Sequence, residues 1–93
     1  MTLLTQDEIA KNLSSLSGWL QEGNQIAKLF QLTDFAEALS FVNKVGAEAE
    51  EMNHHPDIFI HSWNKVKITI STHSEGRITK KDFQLAEKIE RLK

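Results

Sequence analysis

The chain has 93 residues, of which 40% are apolar and 26% charged, and this composition fits one small globular domain over residues 1–93 rather than a disordered chain. A formal net charge of -2 offers no basic face for nucleic acid, and a chain without cysteine has neither disulfides nor thiolate metal ligands. No apolar run approaches the roughly 20 residues of a membrane span, and the N-terminus turns acidic too early for a signal peptide, so we expect no membrane association and a cytoplasmic location.

The first part of the chain predicts a short helix followed by a β-hairpin. Thr5 and Glu8 have the spacing of a capping box, and apolar residues then recur at helical spacing from about residue 6 to 14. The pair Gly23-Asn24 separates two strand-like runs, and both residues tolerate positive φ. We therefore predict strands within residues 18–22 and 25–31, joined by a two-residue turn.

The longest periodic segment predicts a helix of about 18 residues over positions 34–52. Thr33 is the candidate N-cap, and acidic residues in the first turn suit the helix dipole. Phe41 and Gly46 widen the apolar face beyond one stripe. Phe41 either closes the edge of the core or, together with Gly46, contacts a partner subunit. An apolar face this broad leads us to expect a homodimer or homotetramer.

The remaining segments predict two strands and a final helix. Pro56 ends the long helix, and residues 57–63 and 65–73 have the pattern of strands meeting near Asn64. A second capping box, with Asp82 at its third helical position, begins the last helix. The resulting order α-β-β-α-β-β-α predicts an α+β fold, in which helices pack on one face of a four-stranded antiparallel sheet.

All four histidines lie between residues 54 and 73. Histidine is the side chain whose ordinary pKa lies nearest neutral pH, so this segment is the first candidate for acid–base chemistry. His73 falls at a strand end on the polar face, where a packing role would be unusual. Two adjacent histidines before a proline are equally hard to explain by packing.

These residues give the chain its resemblance to the pterin-4a-carbinolamine dehydratase family. Nine residues separate Trp63 from His73 and eight separate His73 from Asp82, as in the family pattern. The similarity extends upstream through Gly18-Trp19 and covers essentially the whole chain. The chain supplies the positions of the pattern as Glu50, His54, His55, Pro56, Trp63, His73 and Asp82.

Three positions depart from the family pattern. Six residues rather than five separate Pro56 from Trp63, which predicts a small bulge or a longer turn in the third strand. Asn53 stands where some members have Asp, and Arg77 where many have a second glycine. These two departures bear on substrate preference more than on the reaction.

The resemblance implies a reaction and a site. Its members remove water from a 4a-hydroxytetrahydropterin to give the quinonoid dihydropterin, and they need no metal or redox cofactor. His54, His55 and His73 are the catalytic residues it implies; we expect His54 and His73 to donate protons to the leaving hydroxyl and His55 to bind the ring and assist at N5. The candidate substrate-binding residues are Asn53, Ser71, Thr72, Ser74, Trp19, Glu50 and Asp82.

Several of these residues have a structural alternative. Asp82 already has a complete role in the capping box, Glu50 is either an exposed helix-end carboxylate or the partner of a histidine, and Trp19 is either a stacking surface or a core aromatic. His61 matches no position of the family site, so we interpret it as a surface or strand histidine.

Two other functions compete with the enzyme. Animal members of the family also act as dimerisation cofactors of a homeodomain transcription factor, so an interaction module is the main alternative. A metal site of His54, His55, His61, His73 and Glu50 is the other, but adjacent residues of an extended segment point to opposite sides. For the enzyme, an aromatic amino-acid hydroxylase is the candidate partner.

Overall fold

The computed structural model of the chain describes residues 4–92, and within them it confirms the predicted α+β class and element order. A four-stranded antiparallel sheet carries its helices on one face. The elements are α1 (Gln6–Ser14), β1 (Leu20–Glu22), β2 (Gln25–Gln31), α2 (Phe35–Met52), β3 (Asp57–His61), β4 (Lys65–Ile70) and α3 (Lys80–Glu90).

The sheet has the spatial order β1-β2-β4-β3, so the two central strands come from opposite halves of the chain. Ile26 pairs with Ile70 and Phe30 with Val66, and all four are buried under the helices. Because side chains alternate along a strand, the next residues point to the other face. There Leu29 and Phe59 are exposed and Lys67 is half-buried.

Both predicted capping boxes are present, at Thr5 with Glu8 and at Thr79 with Asp82. The predicted N-cap of α2 was wrong by one residue. Asp34, rather than Thr33, has the extended backbone of an N-cap, and its carboxylate accepts from the amide of Glu37 at 2.8 Å. Thr33 instead donates its backbone amide to the Glu37 carboxylate at 3.2 Å, so Thr33 and Asp34 both contribute to the cap at the N-terminus of α2.

The β3–β4 connection is a longer turn and not a bulge. Asp57 to His61 pair with β4 without a break in register, and both strands end sooner than the predicted 57–63 and 65–73. Ser62 and Trp63 both have positive φ, 49° and 52°, which turns the chain before Asn64. The sequence predicted a longer turn as one alternative but did not place it at these two residues, because left-handed Ser and Trp are uncommon.

A partly buried polar contact joins the end of α3 to the hairpin. The Lys28 ammonium donates to the Glu90 carboxylate at 2.8 Å and to the Ser17 carbonyl at 2.7 Å. Trp19 Nε1 donates to the same Glu90 oxygen at 3.0 Å. Gly18 crosses directly over the Lys28 stem with φ of +85°, and a Cβ placed there would lie 2.9 Å from Lys28 Cε.

Gly18→Ala is therefore expected to lower the free energy of unfolding by about 2 kcal/mol, because a left-handed Ala is strained and its methyl group displaces Lys28. Urea denaturation measures the loss. Gly23→Ala is the matched control: its φ is also positive, at +63°, but nothing lies within 4 Å of the added Cβ. Equal losses in the two variants would show that the contact with Lys28 has no energetic weight.

Candidate active site

The two adjacent histidines follow the C-terminus of α2, where the chain leaves the helix. Asn53 ends the helix in the left-handed conformation, with φ 51° and ψ 44°, which Asn tolerates better than most residues. The His54 amide still donates to the Ala49 carbonyl at 3.0 Å, and Pro56 then prevents the helix from continuing. The His54 and His55 side chains consequently have different partners.

His54 is buried against α3. Its side chain is 9% exposed, and Nε2 lies 2.6 Å from Oδ1 of Asp82, which has no exposed surface. The two residues are 28 positions apart and come from the end of α2 and the start of α3. The pair therefore exists only in the folded chain, and it holds the imidazole in one orientation.

The Asp82 carboxylate is itself held by two threonines. Its Oδ2 accepts from the Thr79 amide at 2.8 Å and from the Thr72 hydroxyl at 3.2 Å. The Thr72 and Thr79 hydroxyls are 2.6 Å apart and hydrogen-bonded to each other. An ionised carboxylate only accepts, so His54 Nε2 is the donor, and Nδ1 is the ring nitrogen left for exchange of a proton.

His55 has an exposed partner. Its Nε2 is hydrogen-bonded to Oε2 of Glu50, with side-chain exposures of 54% and 75% respectively. Glu50 lies in the last turn of α2, so the helix end orients His55 as Asp82 orients His54. Because water competes for both groups, this orientation is weaker.

His73 occupies an exposed turn directly after Thr72. The Thr72 amide donates to the Arg77 carbonyl at 3.1 Å, and the Thr72 carbonyl accepts from the Gly76 amide at 2.8 Å. These bonds close the turn over residues 73–76. The chain thus fixes His73 at the end of β4 through the same residue whose hydroxyl contacts the His54–Asp82 pair.

The other predicted site residues divide into three groups. Asn53, Ser71 and Ser74 flank the histidines, and each is at least partly exposed. Thr72 and Asp82 are buried, so they support the site without presenting a side chain at its surface. Trp19 is buried in the core with its indole bound to Glu90, so its ring is not available for stacking on a ligand at the surface.

His61 lies apart from the other histidines. It stacks on Phe59 with ring centroids 5.1 Å apart, and both residues are on the sheet face away from the helices. Sequence reasoning missed the supporting role of Thr79. The available signal was its place in the capping box, which puts its hydroxyl beside Asp82.

Two hollows of the surface lie away from the three histidines. One of about 520 Å³ lies between β2 and the first half of α2, and another of about 390 Å³ lies on the open sheet face beside His61. Glu22 and Lys67 form an ion pair at 3.4 Å in the second hollow, but among residues 4–92 neither hollow is lined by a histidine bound to a carboxylate, as His54 and His55 are. Among residues 4–92, no three potential metal ligands come together, and no helix is long and apolar enough to cross a membrane.

Comparison with known proteins identifies close relatives over the full length. The family model described as pterin 4 alpha carbinolamine dehydratase matches residues 2–92. A protein of Sulfurisphaera tokodaii is 47% identical over 92 residues, which cover 99% of this chain and 98% of the relative. One of Sulfolobus acidocaldarius is 43% identical over 89 residues, covering 96% and 97%. Both relatives carry the provisional name pterin-4-alpha-carbinolamine dehydratase.

Two solved structures share the fold. A transcriptional coactivator/pterin dehydratase from Brucella melitensis has a TM-score of 0.92 and 32% identity, and the match covers 98% of each chain. A pterin dehydratase-like protein identified as a RuBisCO assembly factor of the alpha-carboxysome has a TM-score of 0.68, with coverage of 81% and 88%. Its 22% identity makes it evidence for the fold alone.

Proposed function

This chain belongs to the pterin 4 alpha carbinolamine dehydratase family, and on that premise we propose that it is a hydro-lyase that removes water from a 4a-hydroxytetrahydropterin. The observation that carries the proposal is the buried contact of His54 Nε2 with Asp82 at 2.6 Å. A buried carboxylate that fixes one ring nitrogen leaves the other aimed for proton transfer, which is how acid–base histidines are commonly oriented.

The reaction requires two proton transfers. A proton reaches the 4a-hydroxyl, the C4a–O bond breaks with its electron pair going to oxygen, and N5 gives up its own proton, so water and the quinonoid dihydropterin result. We assign the first transfer to His54 and His73. His55, oriented by Glu50, binds the ring and assists at N5. No step needs a change of oxidation state or a Lewis acid, because the carbinolamine loses water once its oxygen is protonated.

The proposed function is tested in a reaction that makes its substrate. An aromatic amino-acid hydroxylase, the proposed partner enzyme, releases a 4a-hydroxytetrahydropterin that accumulates when hydroxylation outpaces spontaneous dehydration. Adding this protein should abolish the accumulation, and treating it beforehand with a chelator that is removed before the assay should not change the result. Unchanged accumulation at equimolar protein would count against the activity. The same outcome would remove the basis for placing the protein beside the hydroxylase in the cytoplasm.

Self-association is the partner interaction that the structure favours. Phe35 and Leu39 of α2 are 50% and 43% exposed, and Val42 and Gly46 continue the same stripe along the helix. A Cβ at Gly46 would meet nothing within 4 Å, so packing within the chain does not explain a mid-helix glycine that costs about 1 kcal/mol relative to Ala. A close approach by α2 of a second copy would explain it.

We therefore expect a dimer or tetramer in light scattering at micromolar concentration. Gly46→Leu should shift the protein toward monomer, because a large side chain separates the two helices while improving helix propensity. Lys44→Leu, about half a turn around α2, should leave the assembly intact. A monomeric wild-type protein would contradict this expectation.

An interaction module is the second candidate function. The Brucella relative is described as a coactivator as well as a dehydratase, and the stripe from Phe35 to Gly46 is a surface that another helix could cover. The Gly46→Leu variant separates the two functions. Loss of partner binding with full dehydratase activity would identify an interaction role independent of the histidines.

A further inference from the structure

The buried threonine at the end of β4 has a role that contact with substrate does not explain. The side chain of Thr72 is directed inward, and the residue is only 3% exposed. Its hydroxyl lies 2.6 Å from that of Thr79 and 3.2 Å from Oδ2 of Asp82. We propose that Thr72 is a positioning residue, whose hydroxyl holds the Asp82 carboxylate in the orientation that fixes His54; this inference rests on the proposed function.

The hydrogen bonds of the Asp82 carboxylate show what the Thr72 hydroxyl contributes. Asp82 uses Oδ1 for His54 and Oδ2 for the Thr79 amide and the Thr72 hydroxyl. The Thr79 amide belongs to the capping box and donates to Oδ2. The Thr72 hydroxyl approaches from the segment that follows β4, on the other side of the turn. Donors from the start of α3 and from the end of a central strand therefore limit rotation of the carboxylate about its Cβ–Cγ bond.

Thr72 also makes contacts that support both of the histidines assigned to proton transfer. Its hydroxyl contacts the carboxylate that binds His54, while its amide and carbonyl close the turn that carries His73. A change at this hydroxyl therefore acts on His54 first, since the backbone bonds of the turn do not depend on the side chain. This asymmetry makes the role testable.

Thr72→Val removes the hydroxyl and keeps the shape, and Thr72→Ser keeps the hydroxyl. In the dehydration assay we expect Thr72→Val to lower kcat about tenfold, a part of the 100- to 10,000-fold that a positioned acid contributes, with KM changed less than about twofold. Thr72→Ser should remain near wild type. Thr69→Val, the same replacement on the opposite face of β4, should also leave kcat unchanged.

A second readout follows the His54–Asp82 contact itself and needs no activity. The Nε2 proton of His54 should give a downfield NMR resonance protected from solvent exchange, assigned by its loss in His54→Ala. Wild type, Thr72→Ser and Thr69→Val should retain it, whereas Thr72→Val should lose it or move it upfield. If Thr72→Val does not fold, Thr72→Cys, with only a weak donor in a similar volume, is measured instead.

The combined outcomes decide the proposal. Loss of kcat together with the altered resonance supports it. A raised KM with unchanged kcat would make Thr72 a substrate contact and overturn it, as would an unaltered resonance in Thr72→Val. If wild-type protein has no dehydratase activity, the proposed function fails, and the resonance still decides whether Thr72 holds the pair.

Discussion

Replacing Asp82 by Ala is expected to reduce the free energy of unfolding by about 3–5 kcal/mol, the usual effect of removing one partner of a buried pair. Asp82 has no exposed surface and binds His54, Thr72 and Thr79 together. Its removal leaves those polar groups buried without their acceptor. Small domains have only about 5–15 kcal/mol of stability in total, so this single change brings the protein close to unfolding.

The chain supplies a matched control for this loss. Glu8 occupies the same third helical position in the capping box of α1, but it is exposed, and among residues 4–92 its side chain is hydrogen-bonded to Thr5 only. Glu8→Ala should cost about 1 kcal/mol, as for an ordinary cap. Urea denaturation of both variants isolates the contribution of burial and of His54. Equal losses would mean that Asp82 is a helix cap and nothing more.

Replacing His54 or His73 by Ala should lower the rate of dehydration at least tenfold, since each removes a group assigned to proton transfer. The two variants should differ in stability. His73 is exposed in its turn, so His73→Ala should retain the wild-type melting temperature. His54→Ala leaves Asp82 buried without its imidazole partner and should melt several degrees lower. Stopped-flow kinetics and thermal denaturation measure the two effects.

His61→Ala is the control for both measurements. His61 lies on the open sheet face against Phe59, away from the Asp82 network, so neither rate nor melting temperature should change beyond the small effect of a surface substitution. If His61→Ala abolishes the activity while His73→Ala retains it, the site has been assigned to the wrong histidines.

Local patterns predicted most of the fold. The two capping boxes, the Gly23-Asn24 turn and the alternation of β4 each depend on residues within a few positions of one another, and the structure has all three. The helix start at Asp34 was missed by one residue, because Thr33 is also a good cap. A longer turn was one of the two predicted outcomes, but its position at Ser62 and Trp63 was not predicted because the left-handed conformation is uncommon for both residues.

The arrangement within the candidate site was less predictable. The sequence singled out Asp82 and His54, but their contact joins the ends of two helices 28 residues apart, and no spacing rule anticipates such a pair. The alternation that puts His73 on the polar face puts Thr72 on the buried face, yet it does not indicate what the Thr72 hydroxyl contacts. Trp19 was also ambiguous in the sequence, because an aromatic residue beside a glycine is compatible with a ligand-binding surface. The structure shows that its ring is buried in the core and that its indole N–H donates to Glu90.

The most direct test of the account is the decay of a freshly generated 4a-hydroxytetrahydropterin in stopped flow. Wild-type protein and His73→Ala, which should be equally well folded, are compared with the spontaneous reaction in the same solution. We expect wild type to accelerate the decay and to form the quinonoid dihydropterin at a matching rate, and His73→Ala to lose at least nine-tenths of the acceleration, as is usual for a missing acid. A wild-type decay no faster than the spontaneous one, or full acceleration by His73→Ala, would contradict it.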